Sequence, residues 1–284
     1  VKLGTLYAGN ANSYYRAIFP MLALQQRGHT VLVPEDEADI PLSRLASCDL
    51  VHCYRRMERF SDLRTLAEHG VAINFDNDDD HAAADFSHGG RGLEGRLHNN
   101  RIDRLTIRSA KFADLMTTTS RPLAEHYLAA GVERVSIIPN HLDREMFGFG
   151  SSSRHDGVVL GWVADREHRI DLECLPIASA MRQLLEAHPD LRVVSVGLRL
   201  PIRSERYEHV ASVPFWDLLK ATGSFDIGIA PLADTAFNRA RSDVKLKEYG
   251  SGGAAWLASP VGPYAQLGED QGGMLVGDDE WVAK

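Results

Sequence analysis

No apolar run in the 284 residues approaches the roughly 18 needed to cross a membrane. Val1-Lys2-Leu3-Gly4 reads directly as a first strand, without a charged and then apolar leader. Both absences point to a cytoplasmic protein, soluble or peripheral to a membrane. Cysteine is scarce. Cys48, Cys53 and Cys174 are too few and too scattered for a disulfide framework or a tetrahedral zinc site, and they read as packing residues in a reducing compartment. No Asn is followed two residues on by Ser or Thr, so no N-glycosylation signal exists. Positive charge is also short. Thirty-one Lys and Arg against 39 Asp and Glu leave a net charge of −8. That balance excludes wrapping a nucleic-acid backbone and leaves room for local basic pockets that hold one phosphate group. There is no G-x-G-x-x-G dinucleotide fingerprint and no short-period repeat.

What is present is ordinary globular material: 44% hydrophobic and 25% charged residues, which excludes wholesale disorder. The length favours two domains. Strand-like and helix-like segments alternate. Strands are expected at 2–8, 29–34, 49–54, 71–75, 114–118 and 135–138, with helices at 13–27, 44–46, 63–69, 100–112 and 120–130. Gly28, Gly70 and Gly131 cap three of these helices. Residues 81–100, rich in Gly, His, Arg and Asp, read as a long loop. Residues 148–157 read as a linker. The alternation then restarts, with strands at 158–162, 192–196, 225–230 and 254–258 and helices at 172–188, 216–222 and 243–249. The expectation is α/β, two βαβ domains at 1–150 and 151–284, each built on a parallel sheet.

Parallel sheets bind ligands at the carboxyl ends of their strands, so the loops there carry the candidates. Gly9-Asn10-Ala11-Asn12 leads into a helix, and its small residues would let a ligand approach free N–H groups; a tight βα turn needs the same residues. Asp76-Asn77-Asp78-Asp79-Asp80-His81 could bind a metal, hold sugar hydroxyls or supply a base, or serve only as a solvated turn. It is no EF-hand, because Gly and Glu are missing at the required positions. Ser120 reads as an N-cap ahead of Pro122. Pro139-Asn140-His141-Leu142-Asp143 reads as a turn held by side-chain bonds to backbone. In 161–169, Arg166, Arg169 and His168 could neutralise a diphosphate, although Asp165 and Glu167 could absorb them as surface pairs. Ser242, Lys245 and Glu248, three apart, line one helical stripe. Such a stripe can offer a phosphate an ammonium and a ribose diol a carboxylate; the plainer alternative is a surface ion pair with a capping serine.

In order along the chain, four stretches resemble family-4 retaining glycosyltransferases of the GT-B fold (glycosyl transferases group 1). They are RAIFPMLALQQRGHTVLV at 16–33, ADLMTTTSRPLAEHYLAAGVERVSIIPNHLDREMF at 113–147, residues 161–168, and SDVKLKEYGSGGAAWLAS at 242–259. The resemblance implies two Rossmann-like domains facing a cleft, the first binding the acceptor and the second the nucleotide-sugar donor. It implies that Glu248 holds the ribose hydroxyls and that Lys245 and Ser242 sit beside the diphosphate. Phe237, Asn238 and Arg239 would face the donor sugar, Asn10 and Asn12 the donor phosphates, and His81 the sugar from the first domain. Asp78 and Asp79 fall on the acceptor side. It further implies transfer to a hydroxyl acceptor (a glycan, a lipid-linked sugar or a small aglycone), with no cofactor and no metal. The residues depart from the pattern in three places. Ala240 stands where a first glutamate is expected, so Asp234 or backbone groups would replace it. Trp162 stands at the usual arginine position, leaving Arg166 or Arg169 to meet the leaving diphosphate alongside Lys245. The C-terminal helix that returns to the first domain is not found. A sugar-nucleotide epimerase and a non-catalytic nucleotide- or glycan-binding module are the rival readings.

Overall fold

A computed structural model describes residues 1–34, 39–84, 92–143 and 155–283. The chain divides into two compact units: Val1–Asn140 with Ala240–Ser242, and His141–Arg239 with Asp243–Lys284. Most of the expected linker, and Phe147 with it, lies outside the described residues.

The first unit holds β1 (Lys2–Tyr7), α1 (Phe19–Gln26, entered through a π-helical turn Tyr14–Ile18), β2 (Thr30–Leu32), α2 (Leu42–Leu45) and β3 (Leu50–Tyr54). Then come α3 (Phe60–Glu68), β4 (Ala72–Asp76), α4 (Gly92–Phe112), β5 (Leu115–Thr118), α5 (Arg121–Ala129) and β6 (Val135–Ile137). The six strands are parallel in the order β2-β1-β3-β4-β5-β6. Strand periodicity sorts the faces. Leu6, Cys53, Phe75 and Met116 stand in register on one face and pack with Leu45, Leu63, Leu66, Leu123 and Tyr127. The opposite face carries Thr5, His52, Asn74, Asp76 and Thr117, all buried. Burial pushes the Cys53 thiol up to about 12, so it packs as an inert apolar group. Cys174 is exposed instead.

The second unit holds β7 (Val158–Ala164), α6 (Arg169–Cys174), α7 (Ile177–Ala187), β8 (Leu191–Gly197), β9 (Tyr207–Val210) and α8 (Phe215–Thr222). It continues with β10 (Ile227–Ala230), α9 (Ala236–Arg239), α10 (Val244–Ser251), β11 (Ala255–Ala258) and β12 (Gly273–Leu275). Its sheet is parallel, in the order β12-β11-β10-β7-β8-β9.

Three expectations need correction. Helix α4 begins at Gly92, so the loop expected over 81–100 is shorter than it reads, although residues 85–91 are not described. The polar, glycine-containing run 92–99 hides this start, because Leu93 and Leu97 face solvent and Gly95 and Asn99 face inward. The helix expected over 172–188 is two helices, since Pro176 cannot donate its backbone N–H and interrupts the run. Strands β9 and β12 are too short and too weakly apolar to stand out in the sequence. No helix among the described residues is long and apolar enough to cross a membrane.

Candidate active site

In each sheet the strand order reverses once. In the first the reversal falls between β1 and β3, and in the second between β7 and β10. The crevice outside the carboxyl ends at such a point is where open α/β sheets bind ligands.

In the first unit the acidic loop after β4 gathers there, and each of its residues has a separate task. Asp76 forms a buried, forked ion pair with Arg16, with Nε to Oδ1 at 2.9 Å and Nη2 to Oδ2 at 2.5 Å. Arg16 Nη1 donates to Asn140 Oδ1 at 3.1 Å and to the Ile138 carbonyl. Asn77, fully buried, donates to the Asp79 carbonyl at 2.6 Å and to Tyr127 Oη at 2.7 Å, which fixes the bend of the loop. Asp80 accepts from the Ala83 N–H. Asp78 accepts from Tyr54 Oη and from Asn12 Nδ2, each at 2.8 Å. Arg55 Nη1 lies 2.8 Å from Asp79 and 3.5 Å from Asp78, and its Nη2 lies 3.4 Å from His81 Nε2. Arginine offers only donors, so His81 Nε2 must present its lone pair in this arrangement.

Arg55 was not among the sequence candidates. It sits just past β3 at φ 56°, the one non-glycine residue of the described set with positive φ. That left-handed backbone is costly for an arginine. It aims the guanidinium between two carboxylates and a histidine.

Of the predicted residues, Asn12, Asp78, Asp79 and His81 therefore come together. Asn10 serves its own turn, with Oδ1 accepting from the Ser13 N–H at 3.1 Å. Ser120 stands at the N-cap position of α5 as expected, but its side chain and that of Asn140 take other tasks. Asn140 receives Arg16 and donates to Ser242 Oγ at 3.1 Å. Ser120 makes no capping bond and donates to the Ala240 carbonyl at 2.7 Å.

Two neighbouring carboxylates divide their acidity. Burial first, and the adjacent Asp79 charge second, push Asp78 up to about 6. Burial works the same way on Asp79, but the surrounding positive charge, Arg55 foremost, outweighs it and holds Asp79 below the usual range. The sign of the linkage follows. The folded value of Asp78 lies above its unfolded value near 4. Its favourable contribution is complete at low pH and is lost as pH rises through about 6. Asp78→Asn is expected to be more stable than the parent by about 2–3 kcal/mol at neutral pH, with the difference closing below about pH 4. Asn12 can turn its amide to keep the contact. Thermal melts of both proteins across this range test it; parallel curves would refute the assignment.

In the second unit the reversal is held open by one side chain. Strands β7 and β10 pair only at Leu160–Ile227 and Gly161–Gly228. Beyond that the Tyr249 hydroxyl accepts from the Val163 N–H at 3.1 Å and donates to the Ile229 carbonyl at 2.9 Å. Lys245 Nζ donates to the Val163 carbonyl at 2.6 Å. Glu248, one turn further along α10, is buried. The serine, lysine and glutamate do not share one helical stripe, because α10 begins at Val244 and Ser242 precedes it.

A buried dyad ties the loops after β7 and β10. His168 Nδ1 lies 2.7 Å from Asp171 Oδ2. Asp171 Oδ1 accepts from the Ala233 N–H at 2.7 Å and from Asn238 Nδ2 at 2.8 Å. Asp171 and Asn238 are fully buried. Asn238 is thus a predicted residue whose amide holds its own loop. Arg239 is exposed and forms a forked pair with exposed Asp234, at 2.6 and 2.8 Å. Arg166 and Arg169 are exposed at the start of the segment after β7. Among the described residues, no group of His, Cys, Asp and Glu gathers in an arrangement that could hold a metal ion.

Comparison with known proteins places this architecture. No family model and no curated protein matches the sequence. Solved structures do match over nearly the whole chain. Sucrose-phosphate synthase from Thermosynechococcus elongatus superposes with a TM-score of 0.62 at 16% identity, over 99% of this chain and 87% of that one. Anabaena HepE in complex with UDP-glucose gives 0.61 at 14%, over 99% and 86%. UDP-GlcNAc 2-epimerase from Methanocaldococcus jannaschii gives 0.56 at 10%, over 100% and 91%. The fold is GT-B. Within it the two parallel six-stranded sheets are the two Rossmann-like domains, and each carries its polar cluster at a switch point.

Proposed function

We propose that the protein is a glycosyltransferase that moves a sugar from a nucleotide donor to a hydroxyl acceptor with retention of configuration. The carrying observation is the polar set at the β7–β10 reversal: Lys245 at the end of β7, buried Glu248 one turn along α10, and a loop 233–238 anchored by Asp171. A carboxylate and an ammonium one turn apart fit a ribose diol and a diphosphate. HepE, which shares the fold, was solved with UDP-glucose, and that supports a nucleotide sugar as donor.

The leaving diphosphate gains negative charge in the transition state. Lys245, with Arg166 or Arg169, stabilises that charge more than the ground state, which lowers the barrier. These cations supply the charge that a metal would otherwise provide. The acceptor hydroxyl is received in the first unit by Asp78, Asp79 and His81. Same-face attack, with the leaving phosphate taking the hydroxyl proton, retains configuration.

The epimerase likeness, with Asp78 pushed up to about 6 in the cluster that Arg55 shares with His81, favours a second reading, epimerisation of the donor alone. Product analysis after incubation with UDP-sugars and no acceptor separates the two, since an epimerised donor would exclude transfer as the primary reaction.

Calorimetric titration with UDP, GDP and dTDP tests the donor site and names the base. Glu248→Ala is expected to weaken the preferred nucleotide at least about tenfold, the worth of hydrogen bonds to a charged group. Unchanged affinity would remove Glu248 from the site.

A further inference from the structure

Helix α4 has an outer face that the nucleotide reading does not use. Successive residues turn by about 100° around a helix. On that spacing Gly95, Asn99, Thr106, Ser109 and Ala110 fall on one side, and all five are buried. Leu93, Leu97, Arg101, Arg104, Arg108 and Lys111 fall on the other. Leu93 is 73% and Leu97 58% exposed, the two largest exposures among the leucines of the described residues. The four cations behind them are exposed as well. Arg108 also stacks over the Phe60 ring, 4.1 Å from its centroid, which holds that part of the face in place. Over its length α4 carries five Lys and Arg against two carboxylates, and one of those, Asp103, is drawn inward to His126 at 2.9 Å. This concentration of positive charge stands in a chain of net charge −8.

Two exposed leucines one turn apart, followed along the same stripe by arginines and a lysine, match an interface between water and acyl chains. Leucines enter the acyl boundary while cations hold headgroup phosphates. We propose that the outer face of α4 seats the first unit on an anionic lipid surface, lying on the bilayer without crossing it. The leucines stand at the start of α4, which follows the carboxyl end of β4, the same strand end that carries Asp78 and Asp79. Seating there would bring a membrane-borne acceptor to that end of the sheet. This consequence rests on the transferase reading, whereas the seating itself does not.

Co-sedimentation of the full chain tests it. One set of vesicles contains equal parts phosphatidylcholine and phosphatidylglycerol, and the other contains phosphatidylcholine alone. Partition onto the anionic vesicles is expected to exceed that onto neutral ones at least about tenfold at low salt, and to fall steeply as salt is raised. Arg101→Glu with Arg104→Glu abolishes the preference. Leu93→Ser with Leu97→Ser lowers partition about fivefold or more while leaving the salt dependence. Arg203→Glu, an exposed arginine of the second unit, changes neither. Nucleotide titration of the same variants should match the parent, which separates failure of seating from failure of the donor site. Equal partition onto both vesicle types would overturn the proposal, as would α4 variants that behave as the parent. A dimer that the leucine variant dissociates, without vesicle binding, would overturn it too and assign the face to a second copy.

Discussion

Arg16→Met is expected to cost the first unit about 3–5 kcal/mol. Both members of the Arg16–Asp76 pair are almost fully buried, at 4% and 1% exposure. Burial alone would disfavour the guanidinium charge, but Asp76, together with Asp78 and Tyr54, more than offsets it and raises the Arg16 pKa. Methionine matches much of the stem but leaves the Asp76 carboxylate, among the described residues, with the Thr117 hydroxyl as its one remaining side-chain donor. It also leaves Asn140 and the Ile138 carbonyl without their donor. The large cost comes from the stranded charge, so removing the charge as well should recover most of it. Arg16→Met with Asp76→Leu is expected to be markedly more stable than Arg16→Met alone, because an apolar pair can replace a buried ion pair at little cost. Urea unfolding followed by hydrogen exchange in β4 and β5 reads the first unit separately from the second. Equal stabilities for the single and double variants would show that the pair's worth lies elsewhere.

This pair also marks where sequence reading stops. Strand and helix alternation is a one-dimensional signal, and it placed nearly every element of both sheets, because buried parallel strands are short apolar runs between helical periods. The acidic run 76–81 was visible as a cluster at a strand end. Its division of labour was not: Asp76 belongs to Arg16, sixty residues away, while Asp78 and Asp79 belong to Arg55. Arg55 itself carries no sequence signal, since nothing in Tyr54-Arg55-Arg56 announces a left-handed backbone. The second unit repeats the lesson. Of the three residues that the spacing put on one stripe, Lys245 and Glu248 stand on α10 and Ser242 precedes it. Arg166 and Arg169 drew notice because they are charged, yet the buried polar group in that segment is the His168–Asp171 dyad. A histidine and an aspartate three apart at a helix start could have been flagged. That Asp171 also holds residues 233 and 238 could not, because those contacts span more than sixty residues.

Gly228→Ala is expected to destabilise the second unit by about 3–5 kcal/mol and to weaken nucleotide binding with it. Gly228 lies in β10 under the Tyr249 ring, and a Cβ there would stand 2.4 Å from two ring carbons. The ring cannot easily give way. Tyr249 is fully buried, and its hydroxyl is fixed between the Val163 N–H and the Ile229 carbonyl. Relief of the overlap therefore means pushing α10 off the sheet or breaking the two hydroxyl bonds that bridge β7 and β10. Either movement carries Lys245 away from the Val163 carbonyl and Glu248 with it, since all three side chains lie within two turns of one helix. The defect should thus appear both in unfolding free energy and in the affinity for the preferred nucleotide. A double-mutant cycle with Tyr249→Val isolates the cause. If the ring overlap is responsible, Gly228→Ala costs much less in the valine background, and the coupling between the two sites exceeds about 1 kcal/mol. Additive losses would mean that the glycine is needed for the strand itself, not for the side chain that holds the crevice open.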